Sequence, residues 1–243
     1  MFKTFVVLCI VFKFRKFLMK LPVFIYWVVK DLIRYKKEGR GFTQYGLRMF
    51  CGRQGGGKTV GMVWLLEQWR RKYPNLKIYT NIDYAHQDGK LTGWNDLLDP
   101  SLRNGTDGVV FAIDEIQNEF SSNAWKDFPE SILSEITQQR KQRICILATS
   151  QVFTRVAKPL REQCYQVIEC RTFLERWTRL KAYDAEDYNS IIDCHDPAKK
   201  FKLHKIWKES FIQTDELRDC FDTYAKVERM AKVGFAPKVP TVN

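Results

Sequence analysis

Three short, mostly apolar runs stand out in the middle of this chain, the first broken only by Arg48. They are Leu47-Arg48-Met49-Phe50-Cys51, Val109-Val110-Phe111-Ala112-Ile113 and Ile144-Cys145-Ile146-Leu147-Ala148. None shows the alternation of a strand with one wet face, and each is too short for a buried helix. Each predicts a strand buried on both sides, as in a parallel sheet covered by helices. Leu76–Ile82, after a turn at Pro74-Asn75, predicts a further strand, and so does Gln166–Cys170. Val60–Lys72 predicts a helix. Ser131–Lys141 predicts another, with Pro129 near its start and Ile132, Leu133 and Ile136 as its apolar stripe. Between these elements, residues 83–107 carry Asp-Gly, Asp-Pro and Asn-Gly pairs, which predict loops around a short helix at Trp94–Leu98. Strands and helices alternate, so the fold class is α/β: a parallel sheet with helices on both faces, spanning residues 46–171.

The pattern changes at both ends. After Arg171, Trp177–Tyr183 and Phe201–Trp207 alternate well enough for a hairpin extension, and Asp215–Ala231 reads as a helix. Residues 172–233 are therefore expected to form a small C-terminal extension. Residues 234–243, with Pro237 and Pro240, read as a free tail. At the other end, residues 1–40 hold two apolar stretches, Phe5–Phe12 and Leu21–Val29, separated by Lys13, Arg15, Lys16 and Lys20. Neither stretch approaches the roughly 20 residues that span a bilayer. Burying the intervening cations would be costly. Pro22 is expected to divide the segment into two short helices. A secretory signal fits poorly, since basic residues follow the first run at once and no small-residue cleavage site appears. The segment reads as an interfacial anchor on an anionic membrane surface. The competing reading is a helix pair buried in an oligomer contact with a solvated basic face.

Charge adds to this. Forty Lys and Arg against 28 Asp and Glu leave a formal charge of +12 and a pI near 9.4. Such a balance points to nucleic acid or an anionic lipid surface as partner. The seven cysteines are odd in number, scattered and without metal-type spacing, which fits a reducing compartment rather than a disulfide framework. Cys194-His195 with His204 is a weak metal pattern, and no zinc is expected.

The chemistry is concentrated in Gly52-Arg53-Gln54-Gly55-Gly56-Gly57-Lys58-Thr59. This is a phosphate-binding loop, with a strand before it and a helix opening at Val60 behind it. Gly52, Gly55, Gly56 and Gly57 let the backbone turn tightly and aim N–H groups at a phosphate chain, and the helix N-terminus adds its own. Lys58 is placed for the β- and γ-phosphates of ATP, and the Thr59 hydroxyl for Mg²⁺. Asp114 ends the second apolar run and is a candidate for holding Mg²⁺. Glu115 beside it is a candidate base for the attacking water. The third run ends in Thr149-Ser150-Gln151 at the carboxyl end of a strand, where doubly wound sheets bind ligands, so all three are expected to face the γ-phosphate or its attacking water. Gln151 is the candidate γ-phosphate sensor. Arg140, and after it Arg143, are candidates for an arginine supplied to a neighbouring subunit. Together with Lys141, Arg155, Lys158 and Arg161 they also form a basic set that could line a nucleic-acid channel.

Taken together, the Gly52–Thr59 loop, the Asp114-Glu115 strand end, Gln138-Gln139-Arg140 and Leu147–Gln151 resemble the N-terminal domain of zonula-occludens-toxin-like proteins. Those are the assembly ATPases of filamentous phages, similar to DNA-pumping motors of the FtsK–HerA class. The resemblance covers about Arg48–Arg171. It implies that Lys58 and Thr59 bind phosphate and Mg²⁺, Asp114 the metal and Glu115 the water, with Gln151 as sensor. It implies an oligomeric ring at the cytoplasmic face of an inner membrane, acting on single-stranded DNA or a phage nucleoprotein. Many such proteins carry a membrane span after the ATPase domain. Here the apolar segments come first, and no stretch of that length follows Arg171. Three other readings remain open: a packaging or conjugative translocase without extrusion, a nucleotide-gated adaptor with negligible turnover, and a small-molecule kinase.

Overall fold

The computed structural model describes residues 2–39, 41–118, 140–193 and 203–222. The chain divides into two units, with the boundary between Gly41 and Phe42. The first is one long helix, α1 (Phe2–Glu38). Pro22 lies inside it and does not divide it in two. Continuing the helix costs one backbone hydrogen bond and a local clash. Ending and restarting it would instead leave a full set of terminal N–H and C=O groups without partners. From Phe14 to Tyr35 its large apolar side chains other than Leu21 are exposed. No helix among the described residues is long and apolar enough to cross a membrane.

The second unit is built on an eight-stranded sheet. Its strands are β1 (Gly46–Cys51), β2 (Lys77–Thr80), β4 (Gly89–Lys90), β5 (Val109–Ile113), β6 (Ile144–Ser150), β7 (Cys164–Phe173), β8 (Trp177–Asp184) and β9 (Lys205–Ile212). The spatial order is β4-β2-β5-β6-β1-β7-β8-β9. The first six are parallel; β8 and β9 add antiparallel to the β7 edge. A separate two-stranded ribbon pairs β3 (Asp83–Tyr84) with β10 (Phe221–Asp222).

The three apolar runs become the central strands β1, β5 and β6 because both their faces are covered. Phe50, Val110, Ala112, Cys145 and Leu147 point to one side, against α2 (Lys58–Lys72) through Met62, Val63, Leu66 and Trp69. Met49, Val109, Phe111, Ile146 and Ala148 point to the other. There they meet Phe153, Leu160 from α3 (Lys158–Glu162), and Ala185 and Tyr188 from α4 (Ala185–Asp193). Cysteines fill small core positions. Burial pushes the Cys145 thiol up to about 11 and the Cys164 thiol to about 12, and raises Cys51 and Cys170 as well. Those thiols stay protonated and act as small hydrophobes. Gly108 is required by its surroundings: at φ +77°, a Cβ there would lie 2.3 Å from the Phe42 ring.

The boundary expected at Arg171 does not exist. β7 runs through it to Phe173 and turns directly into β8, so the expected C-terminal extension supplies two strands of the main sheet. The turn puts Leu174 and Glu175 at φ +46° and +58°. α5 (Asp215–Asp219) follows, capped by the Thr214 hydroxyl. The ribbon is clamped to α2 by Glu67, which accepts from Tyr84 Oη at 2.6 Å and lies 2.7 Å from His86 Nδ1. Those bonds hold the Glu67 carboxyl below its usual range against the opposing effect of burial. Residues 131–139 of the expected helix, Cys194-His195, the start of the Phe201–Trp207 segment, residues 223–231 and the tail lie outside the described residues.

Candidate nucleotide-binding site

Parallel pairing sets the site. β1, β5 and β6 run the same way, in register from Gly46↔Cys145 to Cys51↔Ser150 and from Val109↔Ile144 to Ile113↔Ala148. Their carboxyl ends therefore deliver the Gly52–Thr59 loop, Asp114-Glu115 and Gln151 to one edge, with β6 between the other two.

The loop is shaped by contacts that exclude side chains. Gly55 and Gly57 have φ of +73° and +83°. A Cβ on Gly57 would lie 2.3 Å from Thr172 Oγ1, and one on Gly52 would lie 2.7 Å from the Cys170 carbonyl oxygen. Gly56 N–H donates to the Arg53 carbonyl at 2.9 Å, and Lys58 Nζ donates to that same oxygen at 3.2 Å. The ammonium thus lies over the loop, largely buried. Gly57 caps α2, and the first helical bond runs from Gly61 N–H to the Gly57 carbonyl. The N–H groups of Lys58, Thr59 and Val60 come before that bond and have no intrahelical acceptor, as at any helix start. They form the anion-binding end of a 15-residue helix.

Across the edge, Thr59 Oγ1 donates to Asp114 Oδ1 at 2.9 Å. The same carboxylate oxygen accepts from Thr149 Oγ1 at 2.7 Å. Asn81, just past β2, brackets the Asp114 backbone: its Oδ1 accepts from Asp114 N–H at 2.7 Å and its Nδ2 donates to the Asp114 carbonyl at 3.1 Å. Glu115 has φ +52°, an uncommon conformation for a non-glycine residue. Its N–H donates to Thr149 Oγ1 at 2.8 Å. Its carboxylate receives Gln151 Nε2 on Oε1 at 3.5 Å and Asn118 Nδ2 on Oε2 at 3.0 Å.

The structure thus brings Lys58, Thr59, Asp114, Glu115 and Gln151 together. It changes the reading of Thr149 and Ser150. Thr149 is fully buried and positions both acids, while Ser150 Oγ donates to the Val152 carbonyl at 2.9 Å, so neither faces a phosphate. Asn81 and Asn118 were missed. Their only sequence signal is a polar residue just beyond an apolar strand or acid pair, which loops show everywhere. A Thr149→Val variant keeps the shape but leaves the Glu115 N–H without its partner. It is expected to lower unfolding free energy by about 1–3 kcal/mol. A urea melt indistinguishable from wild type would show that these bonds do not hold the acids.

The arginine candidates sit elsewhere. Arg143 Nη1 donates to the Phe42 carbonyl at 2.8 Å, which commits it to structure at the amino ends of the strands. Arg140 is exposed at that same edge, its guanidinium 5.5 Å from the Tyr45 ring centre. It cannot reach the phosphate loop of its own chain. Arg161 is bonded to Asn189 at 2.9 Å.

The N-terminal domain of zonular occludens toxin from Neisseria meningitidis superimposes on this structure with a TM-score of 0.50. The match has 16% identity and covers 73% of this chain and 99% of that one. The chain has the fold of that domain. It is a mostly parallel α/β sheet covered by helices. The genome-packaging NTPase B204 of Sulfolobus turreted icosahedral virus 2, in complex with ATP-gammaS, aligns less well, at a TM-score of 0.44 and 12% identity over 58% of this chain and 92% of that one. No protein-family model and no curated protein matches the sequence. The resemblance read from the Gly52–Thr59 loop and the strand ending at Gln151 is therefore met at the level of fold. In the toxin-like fold seen here, the loop, the acid pair and Gln151 share the carboxyl edge, and Arg140 occupies the opposite one.

Proposed function

We propose that this chain hydrolyses ATP to move viral single-stranded DNA during phage assembly or extrusion, working as a homo-oligomeric ring at the cytoplasmic face of an inner membrane. One observation carries the hydrolase part: the Glu115 carboxylate is held from both sides at the edge shared by Lys58, Thr59 and Asp114. A protein that only binds nucleotide has little use for a positioned carboxylate.

The donor set fits Mg²⁺-ATP. Mg²⁺ favours oxygen ligands and few protein groups, and the Thr59 hydroxyl and Asp114 carboxylate are two such oxygens in contact. When bound, the ion would draw charge from the phosphate oxygens. The chain's own groups do the rest. The loop and α2 N–H groups bind the phosphate chain, Lys58 neutralises it, and Thr149 with Asn81 holds Asp114 in place. Glu115 takes a proton from the attacking water, and Gln151, bonded to Glu115, orients it. Arg140 can serve turnover only through a second copy, where it would reach the neighbour's site. Exposed apolar residues in α1, such as Phe24 and Trp27, with Lys30, Lys36 and Lys37 nearby, support membrane-surface contact.

The test is phosphate release from Mg²⁺-ATP by the full chain, with and without single-stranded DNA. Turnover is expected to rise several-fold with DNA. Tight ATP binding without turnover under either condition would replace this reading with the adaptor. Flotation with phosphatidylglycerol vesicles checks the membrane part: Phe24→Ser/Trp27→Ser should weaken it, and recovery equal to wild type would remove α1 as the contact.

A further inference from the structure

The antiparallel half of the sheet has one face that nothing described covers along its upper end. Leu180, Ala182 and Phe211 point toward α2. The alternate residues point the other way. At the lower end α4 covers them, with Tyr188 beside Tyr183 and its hydroxyl donating to Glu169 at 2.9 Å. Beyond that, Trp177 and Ile212 sit directly opposite each other and are 50% and 57% exposed. Leu174 at the turn is 96% exposed.

The charges on this face are unusual for a sheet. Arg171 is paired directly across from Arg179, and Lys181 directly across from Lys208. Like charges in directly opposed positions destabilise a sheet. Among the described residues no ion pair neutralises any of the four. Glu169 is in register with Lys181 but is engaged by Tyr188. Both arginines lie over the Phe173 ring, at 4.8 and 5.7 Å from its centre, and Phe173 is paired with Trp177.

We propose that this face of β7, β8 and β9 is a binding platform for single-stranded nucleic acid. Arg171, Arg179, Lys181 and Lys208 follow the phosphate backbone, Phe173 holds the two arginines in place, and Trp177 takes a stacked base. The inference rests on the reading of a single strand as partner and places it on named residues. The chemistry selects the occupant. A polyanion relieves two cationic pairs at once, and the exposed Trp177 ring favours a base that is free to stack. A duplex keeps its base faces inside. The strands that carry the platform also touch the phosphate loop, through their other face. Thr172 and Thr178, on the opposite face of the same strands, bond to each other at 2.9 Å and abut Gly57, and Gln213 donates to Thr178 at 2.7 Å. A strand bound on one face can therefore shift the loop on the other.

The test is anisotropy of labelled oligothymidylate with the full chain across a salt series. Arg171→Gln/Arg179→Gln is expected to weaken binding at least about tenfold and to flatten the salt slope by about 1.4, for two lost phosphate contacts. Trp177→Ala should weaken it about tenfold, and Trp177→Phe should restore most of the loss. The double variant removes a repulsion, so its melting temperature should hold or rise, separating lost binding from lost folding. Wild-type affinity in both variants would overturn the platform and leave the strand-moving reading intact. No binding by wild type would overturn that partner and the platform together, while Lys58-dependent turnover would still report separately on the hydrolase. Equal affinity for duplex, indifferent to Trp177, or binding to anionic vesicles alone through these residues, would also overturn it.

Discussion

Lys58→Ala is expected to lower ATP turnover by at least about 10²–10³-fold, the range seen when one preorganised charge-stabilising donor is removed. The reason is positional. Lys58 is the first residue of α2, so its own N–H and its side chain are both placed to serve a phosphate chain at the loop. Its ammonium is largely buried over the loop and donates to the Arg53 carbonyl. A charge held in that setting acts with less screening than one in water. Alanine preserves the helix, so folding should be unaffected. Phosphate release by the variant, beside its melting curve, checks this. Turnover within tenfold of wild type in a folded variant would mean that the phosphate is not bound at this loop.

Much of the site was legible because it is local in sequence. The Gly52–Thr59 loop needs glycines wherever φ turns positive or a side chain would strike a neighbour, and those needs appear as letters. The strands β1, β5 and β6 were legible because burial on both faces removes all polar residues but Arg48 and the terminal Thr149 and Ser150. Apart from Asn118, three residues from Glu115, what was missed or misread is non-local. Asn81 and Thr149 lie 33 and 35 residues from Asp114, and only the strand order brings them to it. The Arg171 boundary failed for a related reason. β8 and β9 form an edge with one face that the described residues cover only in part, so their pattern carries charge and looks less like core than the central strands do. Arg171 opposite Arg179, and Lys181 opposite Lys208, become visible only once the register is known. Pro22 misled in the other direction, since a single proline weakens a helix without having to end it.

Glu115→Gln is expected to separate binding from chemistry. The amide is nearly the same size and can still face Asn118 and Gln151, so the local fold should persist. ATP affinity should stay within a few-fold of wild type, because Lys58, Thr59 and Asp114 are untouched. Turnover should fall by about 10²–10⁴-fold, the usual contribution of a positioned general base. The backbone supports this assignment. Glu115 sits at φ +52°, where a non-glycine residue is held at a cost of order 1–3 kcal/mol, and the Thr149 hydroxyl fixes its N–H. A strand end with no task for its carboxylate could relax to an ordinary conformation. Asp114 gives the contrast: it bonds Thr59 directly, so its loss should weaken the metal requirement and binding together. Nucleotide binding followed by fluorescence, alongside phosphate release, distinguishes the two acids. If Glu115→Gln turns over ATP near the wild-type rate, the water is activated by another group and Gln151 loses its partner in the mechanism. If it binds ATP tightly and stalls, the protein is held in its loaded state, the form in which DNA binding to the β7–β9 face is best measured.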